Sequence, residues 1–507
     1  MNIKKLSFCL LTLLNFWGCE TGHSDPFSNM GFNAYDGNLS NRIAKYHDES
    51  LPNLANSKIG NPSLYIDFSS GIKTAFNDPS IDKLMSDCFN TLLTEKFDVY
   101  KLGSKQVTQL AISNTTQLGQ KISNPDEYID IWAPIQNAVE KIVESNNDAL
   151  LITDFEEWQD NSEITSTAFL KIPFTKWLSK GNTVHFFIAD YLEGNVSKHI
   201  FFTVFSCGNP NESSMISKLS SKLAALPRYD LSNKTYKLNT QYPSEKAGGI
   251  FYDGSAESDK AKNVLDLKDN YFNGLKNGNS FEFYPFGLDW KTIDDTHTAY
   301  KNQNQFNDFF RNLYIDLSNE NAYFYGDFDV KVYDITNDFE NYAKCNEAKN
   351  HKPKLKKGSN GQDKFSDDEK DEIALSCYNV NGKIKDEWIY KYTTSKSTAL
   401  PEVFSLNQEL FKNTKNANKN KVELGVAFDT KFNIKNISNP DGLIRIDIVL
   451  NTAEPNLTNP TLEKFKWSNN KGIINVALYE SIKTTLQEVS VKPSNRTIYS
   501  YYIKTLQ

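Results

Sequence analysis

Between residues 61 and 228, short unbroken apolar runs alternate with stretches of helical spacing, and this alternation narrows the possible folds more than any other feature of the chain. Residues 64–68 read Leu-Tyr-Ile-Asp-Phe and are closed by Ser69, Ser70 and Gly71; residues 149–153 read Ala-Leu-Leu-Ile-Thr and run into Asp154. Continuous apolar runs of this length belong to strands covered on both faces. After the first run, Asp78-Pro79 is a helix start, followed by Ile81, Met85, Cys88 and Leu92 at helical spacing. Residues 97–102 and 106–112 alternate in strand fashion around Gly103 and predict a hairpin. The pattern continues with an amphipathic helix over 126–145, a helix reaching Trp177 but broken near Pro173, strands over 183–189 and 199–205, and a helix over 211–226. Strand and helix in alternation predict an α/β fold, a doubly wound and mostly parallel sheet.

In such a sheet, polar residues at the carboxyl ends of central strands converge on one crevice. Two of the strands end in acids, at Asp67 and Asp154. The run Tyr-Ile-Asp-Phe-Ser-Ser-Gly, the hairpin after the first helix and the run Leu-Leu-Ile-Thr-Asp together resemble a von Willebrand factor A-type domain, over residues 61–228. The resemblance implies a metal-ion-dependent adhesion site, in which hydroxyls and carboxylates hold Mg²⁺ or another divalent cation and leave one position open to a partner's carboxylate. Carried across, Asp67 and Ser69 match its first two positions, Asp154 matches its distal acid, and Asp130 stands nearest to its threonine position. Gly71 replaces a hydroxyl residue, Phe155 replaces the small residue after the distal acid, and a hairpin around Glu193-Gly194-Asn195 stands where a helix is expected. An ordinary structural reading of the same residues remains open: Asp67 capping the next turn, Ser69 and Ser70 bonding loop amides, Asp154 closing a strand.

The N-terminus reads as an address. Lys4 and Lys5 precede an apolar stretch over 6–17, and Gly18 directly precedes Cys19, the order of a secretory signal. Gly18-Cys19 resembles the lipobox of bacterial lipoproteins, which implies a signal peptide over 1–18, lipidation at Cys19 and an envelope location, with the outer membrane preferred; without lipidation the chain would be secreted. Two acyl chains anchor stably where one is marginal. Residues 19–60, rich in Asn, Ser, Gly and Asp, read as a tether.

Beyond Cys9 and Cys19, four cysteines remain: Cys88, Cys207, Cys345 and Cys377. Export permits disulfides. Cys345 and Cys377 bracket a polar segment with a basic part and an acidic part, which predicts a mobile loop clipped at its base by a Cys345–Cys377 bond. Cys88 lies among apolar helix positions and reads as a buried thiol.

At 507 residues the chain exceeds one core of ordinary size, so a second region is expected over 229–507. Its strand-like runs, at 312–317, 322–333, 422–437 and 443–451, predict a β-rich, sandwich-like α+β region. Asp441-Gly442 predicts a hairpin joining the last two runs. Helices are expected over 305–310 and 473–486, and an edge or closing strand over 497–504. Aromatics gather from Tyr271 to Trp290; core packing explains them, with a carbohydrate or protein contact surface as the alternative.

Lys and Arg number 56 against 63 Asp and Glu, with no basic stripe, which sets nucleic acid aside as a partner. The familiar nucleophile-elbow, zinc-protease, phosphate-loop and dinucleotide motifs are absent from the sequence. The expectation is therefore an exported binding or adhesion protein that engages a protein or other macromolecule, with the membrane reached through its lipid anchor. The alternatives are a structural subunit of a cell-envelope assembly, and a metal-dependent phosphoester hydrolase using Asp67, Asp154, Glu156 and Glu157.

Overall fold

The computed structural model describes residues 26–36, 39–50, 61–94, 96–103, 105–159, 162–208, 214–233, 283–289, 314–316, 322–393, 404–407, 421–426, 439, 441–468 and 472–506. It divides into two compact units, one made of residues 40–336 with 394–507 and one of residues 1–39 with 337–393. The expected α/β architecture with a β-rich C-terminal region is what the larger unit contains.

Its central sheet has seven strands: β1 (Ser63–Asp67), β2 (Asp98–Gly103), β3 (Gln106–Leu110), β4 (Ala149–Thr153), β5 (Thr183–Glu193), β6 (Val196–Ser206) and β7 (Arg228–Leu231). Their order is β3-β2-β1-β4-β6-β5-β7. The sheet is mixed. β1 lies parallel to both β2 and β4, and the remaining pairings are antiparallel. β1 and β4 are buried at every position, as their unbroken apolar runs require. The β2–β3 hairpin forms as expected, and so does the β5–β6 hairpin, whose turn places Gly194 at a φ of +61°, a conformation that suits glycine.

Helix α1 (Leu39–Ser50) precedes the sheet, and further helices cover both of its faces: α2 (Ile72–Phe76), α3 (Pro79–Leu92), α4 (Thr115–Ser123), α5 (Ile135–Ser145), α6 (Lys171–Ser179) and α7 (Met215–Ser220). Asp78 caps α3 by accepting from the Ser80 amide, with Pro79 at the first helical position. The expected 126–145 helix is shorter. Pro134 starts α5, and the preceding residues form a single 3₁₀ turn, Pro125–Glu127, and a loop. Pro173 falls inside the first turn of α6, where its missing amide hydrogen breaks no bond, so it does not interrupt that helix.

One face of the sheet packs Ile66, Ile152, Phe202 and Phe187 against α2, α3 and α7. The other packs Leu151, Phe186 and Phe205 against α5 and α6 and shares its core with C-terminal residues, among them Phe465, Trp467 and Leu478. Phe465 stacks on Phe201 at 5.6 Å and meets Phe186 at 5.0 Å. The boundary expected near residue 228 is therefore not a break between cores, because the C-terminal region closes one face of the α/β sheet.

That region contributes a second sheet of β8 (Phe283–Asp289), β9 (Phe328–Asp334), β10 (Leu443–Leu450) and β11 (Arg496–Leu506), in the order β8-β11-β10-β9, and a helix, α8 (Ala477–Gln487). Two expectations are corrected here. Asp441-Gly442 does not join a hairpin: β10 pairs with β9 and β11, while the strand Lys421–Val426 pairs with Tyr314–Asp316 and Phe404–Asn407. The closing strand β11 is interior, with β8 on one side and β10 on the other. The helix expected over 305–310 lies outside the described residues, as do Tyr271, Phe272, Phe281 and Trp290 of the aromatic cluster.

The proposed tether is partly folded. Helix Leu39–Ser50 buries Tyr46 and His47, and His47 Nδ1 meets the Tyr502 hydroxyl at 2.9 Å. Residues 1–25, including Cys19, lie outside the described residues.

The smaller unit corrects the expected mobile loop. Residues 345–377 are ordered, with the helix Thr336–Asn350, a short hairpin of Leu355–Lys357 and Asp363–Phe365, and the helix Glu372–Cys377. Phe27, Ala348, Ile373, Cys377 and Tyr378 form its core. Asp371 caps the second helix through the amides of Ile373 and Ala374 while its carboxylate meets His351 at 2.7 Å. The segment is polar because short elements pair its charges. The expected Cys345–Cys377 bond is not formed. Both thiols are buried, as are those of Cys88 and Cys207, and burial pushes the Cys88 thiol up to about 12.

Candidate functional site: the carboxyl rim of the sheet

Because β1 and β4 run in parallel register, with Ser63 opposite Ala149 and Ile66 opposite Ile152, their last residues reach the same edge. There Thr153 Oγ1 donates to Asp67 Oδ2 at 2.7 Å, and the Ser69 amide donates to Asp67 Oδ1 at 2.7 Å. Next in the chain, Asp154 Oδ1 accepts from the Glu156 amide at 3.0 Å. Asp67 and Asp154 are both buried; Asp154 feels the charge of Asp67, and Asp67 feels that of Glu156. Burial is the larger cause and pushes both carboxyls up; Asp154, which also feels Asp67, reaches about 7.

Phe155 sets this geometry. Its φ is +60°, a left-handed conformation costly for a bulky side chain, and its ring is fully buried against Phe186 and Phe201. The ring anchors in the core while the backbone reverses, and the acids on either side of it, Asp154 and Glu156, stay at the rim. Glu157 then supplies what Pro134 cannot, a cap for α5: its Oε2 accepts from the Gln136 amide at 2.7 Å. Burial raises Glu156 and Glu157 to about 7 as well, Glu156 with a further push from Asp154.

From the other side, β5 delivers Tyr191 and Glu193, and β6 delivers Lys198, which is 4% exposed. The Lys198 ammonium lies 2.7 Å from Glu156 Oε1 and 2.6 Å from Glu193 Oε2. Burial opposes that charge, but Glu156 and Glu193 outweigh it and hold the lysine protonated above its ordinary range. Tyr191 is buried beside the same acids; burial first, then Asp154 and Glu156, keep its hydroxyl protonated and able to donate.

The residues predicted from sequence divide here. Asp67, Ser69 and Asp154 share the rim. Asp130 joins through its backbone: its carbonyl accepts from the Ser70 amide at 2.6 Å, beside Ser69. Its carboxylate instead faces Gly103 at the end of β2, where a Cβ would come within 2.9 Å of Oδ2, and β2 lies on the opposite side of β1 from β4.

This set does not fit the divalent ion that the resemblance implies. Asp67 is tied to the Ser69 amide and the Thr153 hydroxyl, Asp130 directs its carboxylate toward Gly103, Gly71 brings no hydroxyl, and among the described residues no three His, Cys, Asp or Glu side chains converge as a metal would require. A hard cation needs open oxygens converging from several groups.

Sequence reading missed Lys198, Glu193 and Tyr191. The available signal was a lysine in phase with Ile200 and Phe202 on an apolar strand, a position that demands a buried partner. Two strand histidines nearby are held by neighbours: His185 bridges Thr183 and Asp230, and His199 meets Asp190. No family model matches the chain, and neither a curated protein nor a solved structure does.

Proposed function

We propose that this chain is an exported, lipid-anchored binding protein whose α/β sheet, a von Willebrand factor A-like domain, engages another protein along its carboxyl rim. The observation that carries the reading is the display of Ile129, Ile131 and Leu192 on that rim, 77, 71 and 65% exposed. Scattered surface apolar residues are commonplace, but here two of them flank a backbone that is held from beneath. Tyr128 packs on Phe68 and Phe76 at 5.2 and 6.2 Å, and the Asp130 carbonyl is bonded to Ser70. Ile129 and Ile131 therefore point outward from a loop that is already ordered, which lowers the entropy lost on binding.

The succession of strand, helix, hairpin, helix and strand from β1 to β4 supports the von Willebrand factor A-like reading, and the β5–β6 hairpin is its main departure. Cys19 would place the domain at the cell envelope, on the outer membrane. A photo-crosslinking residue placed in turn at 129, 131 and 192 in the full-length chain, with exposed Glu140 on α5 as control, tests the role in whole cells. The expected result is one discrete adduct from the rim positions and none from the control; no adduct, or the same adducts from all four, refutes it. Cys19→Ser should move the chain from the membrane fraction to the soluble fraction, and retention at the membrane would remove the anchor from the proposal.

A further inference from the structure

We infer that Lys198 is the resident cation of the rim, taking the place that the von Willebrand factor A resemblance gives to a divalent metal ion, so that the site keeps its structure without one. The inference concerns the charge balance of the site and stands whether or not the rim binds a partner.

Three observations carry it. Lys198 projects from β6 into the buried edge, in phase with Ile200 and Phe202, and its ammonium bridges Glu156 and Glu193 at 2.7 and 2.6 Å. A buried ammonium is tolerated only when its charge is matched, and these two carboxylates match it. Its charge also bears on Asp154, the acid to which an ion would have to bind, so a divalent cation approaching Asp154 meets a fixed like charge. Meanwhile the oxygens an ion would need on Asp67 accept from Ser69 and Thr153, and Gly71 offers no hydroxyl. The lysine and the hydrogen-bond donors together do what the metal would do, and the missing hydroxyl and the displaced Asp130 carboxylate are consistent with a site that has no ion to hold.

Thermal unfolding of the full chain with EDTA, and with Mg²⁺, Mn²⁺ or Ca²⁺ in millimolar excess, is the primary test. The expected melting temperature is the same in all four conditions. A rise with any of the three ions that disappears in Asp154→Asn overturns the inference. Lys198→Met should melt at a lower temperature than the wild type, while Lys198→Arg should retain most of the stability; a Lys198→Met protein as stable as the wild type would also overturn it. If Lys198→Met does not fold, Glu193→Gln, which removes one of the two counter-charges from a partly exposed position, should still lower the melting temperature, and no change would count against the bridge.

Discussion

Two polar clusters sit on the same sheet and have opposite electrostatic characters. At the carboxyl rim, Glu156 and Glu193 hold the Lys198 ammonium and Asp154 feels its charge, while Asp67, Asp154 and Glu156 are pushed up toward their protonated forms, by burial first and then by neighbouring acids. Toward the outer strands, His185 on β5 lies between Thr183 at 2.9 Å and Asp230 of β7 at 2.8 Å, and Arg228 Nε donates to Asp230 at 2.7 Å. Burial alone would raise Asp230, but His185 and Arg228 outweigh it and hold that carboxyl well below its usual range. The second cluster is a fastener between strands. In the first, Lys198 pairs with Glu156 and Glu193, and burial pushes the further acids Asp67 and Asp154 toward their neutral forms.

The largest expected effect breaks the rim's geometry. Phe155→Ala removes a fully buried ring that holds a left-handed backbone, and should cost about 3 kcal/mol or more, read as a lower denaturant midpoint. Asp230→Ala removes a carboxylate bonded to two basic groups and should cost about 2 kcal/mol at neutral pH, with rim crosslinking unchanged. Asp154→Asn should act in the opposite direction, stabilising the protein by about 2 kcal/mol at pH 8 by relieving a buried negative charge. A destabilising Asp154→Asn would show that the two clusters are alike. The smallest effect on stability, within about 0.5 kcal/mol, belongs to Ile129→Ser with Ile131→Ser, although this pair should abolish capture at the rim.

What the sequence made legible follows from local signals. β1 and β4 were visible because a strand buried on both faces is apolar at each position, and α3 because Asp78-Pro79 marks its start. The meeting of Asp67 and Asp154 followed once those strands were taken as parallel neighbours. The antiparallel insertion of β6 between β4 and β5 was not legible, because continuous apolar runs are the same whichever way a strand points. Lys198 was hidden in part for the same reason: Glu193 meets it across the expected hairpin, but Glu156 lies on a loop after β4 that only the sheet order brings to it. The hairpin expected at Asp441-Gly442 failed because long-range pairing with β9 and β11 outweighed a local turn preference, and the mobile loop over 345–377 failed because its charges are paired by short elements.

The account depends most on the buried carboxylates at the rim, and the pH dependence of stability measures them directly. A carboxyl raised from 3.8 to about 7 in the folded state, as at Asp154, binds its proton more tightly than the unfolded chain does. The stability it contributes is complete below pH ~4 and is lost as the pH rises through ~7. Melting curves of the wild type should therefore shift to lower temperature across that interval, and Asp154→Asn should flatten the slope. A wild-type protein whose stability rises from pH 4 to 7, or a slope that Asp154→Asn leaves unchanged, would contradict the account.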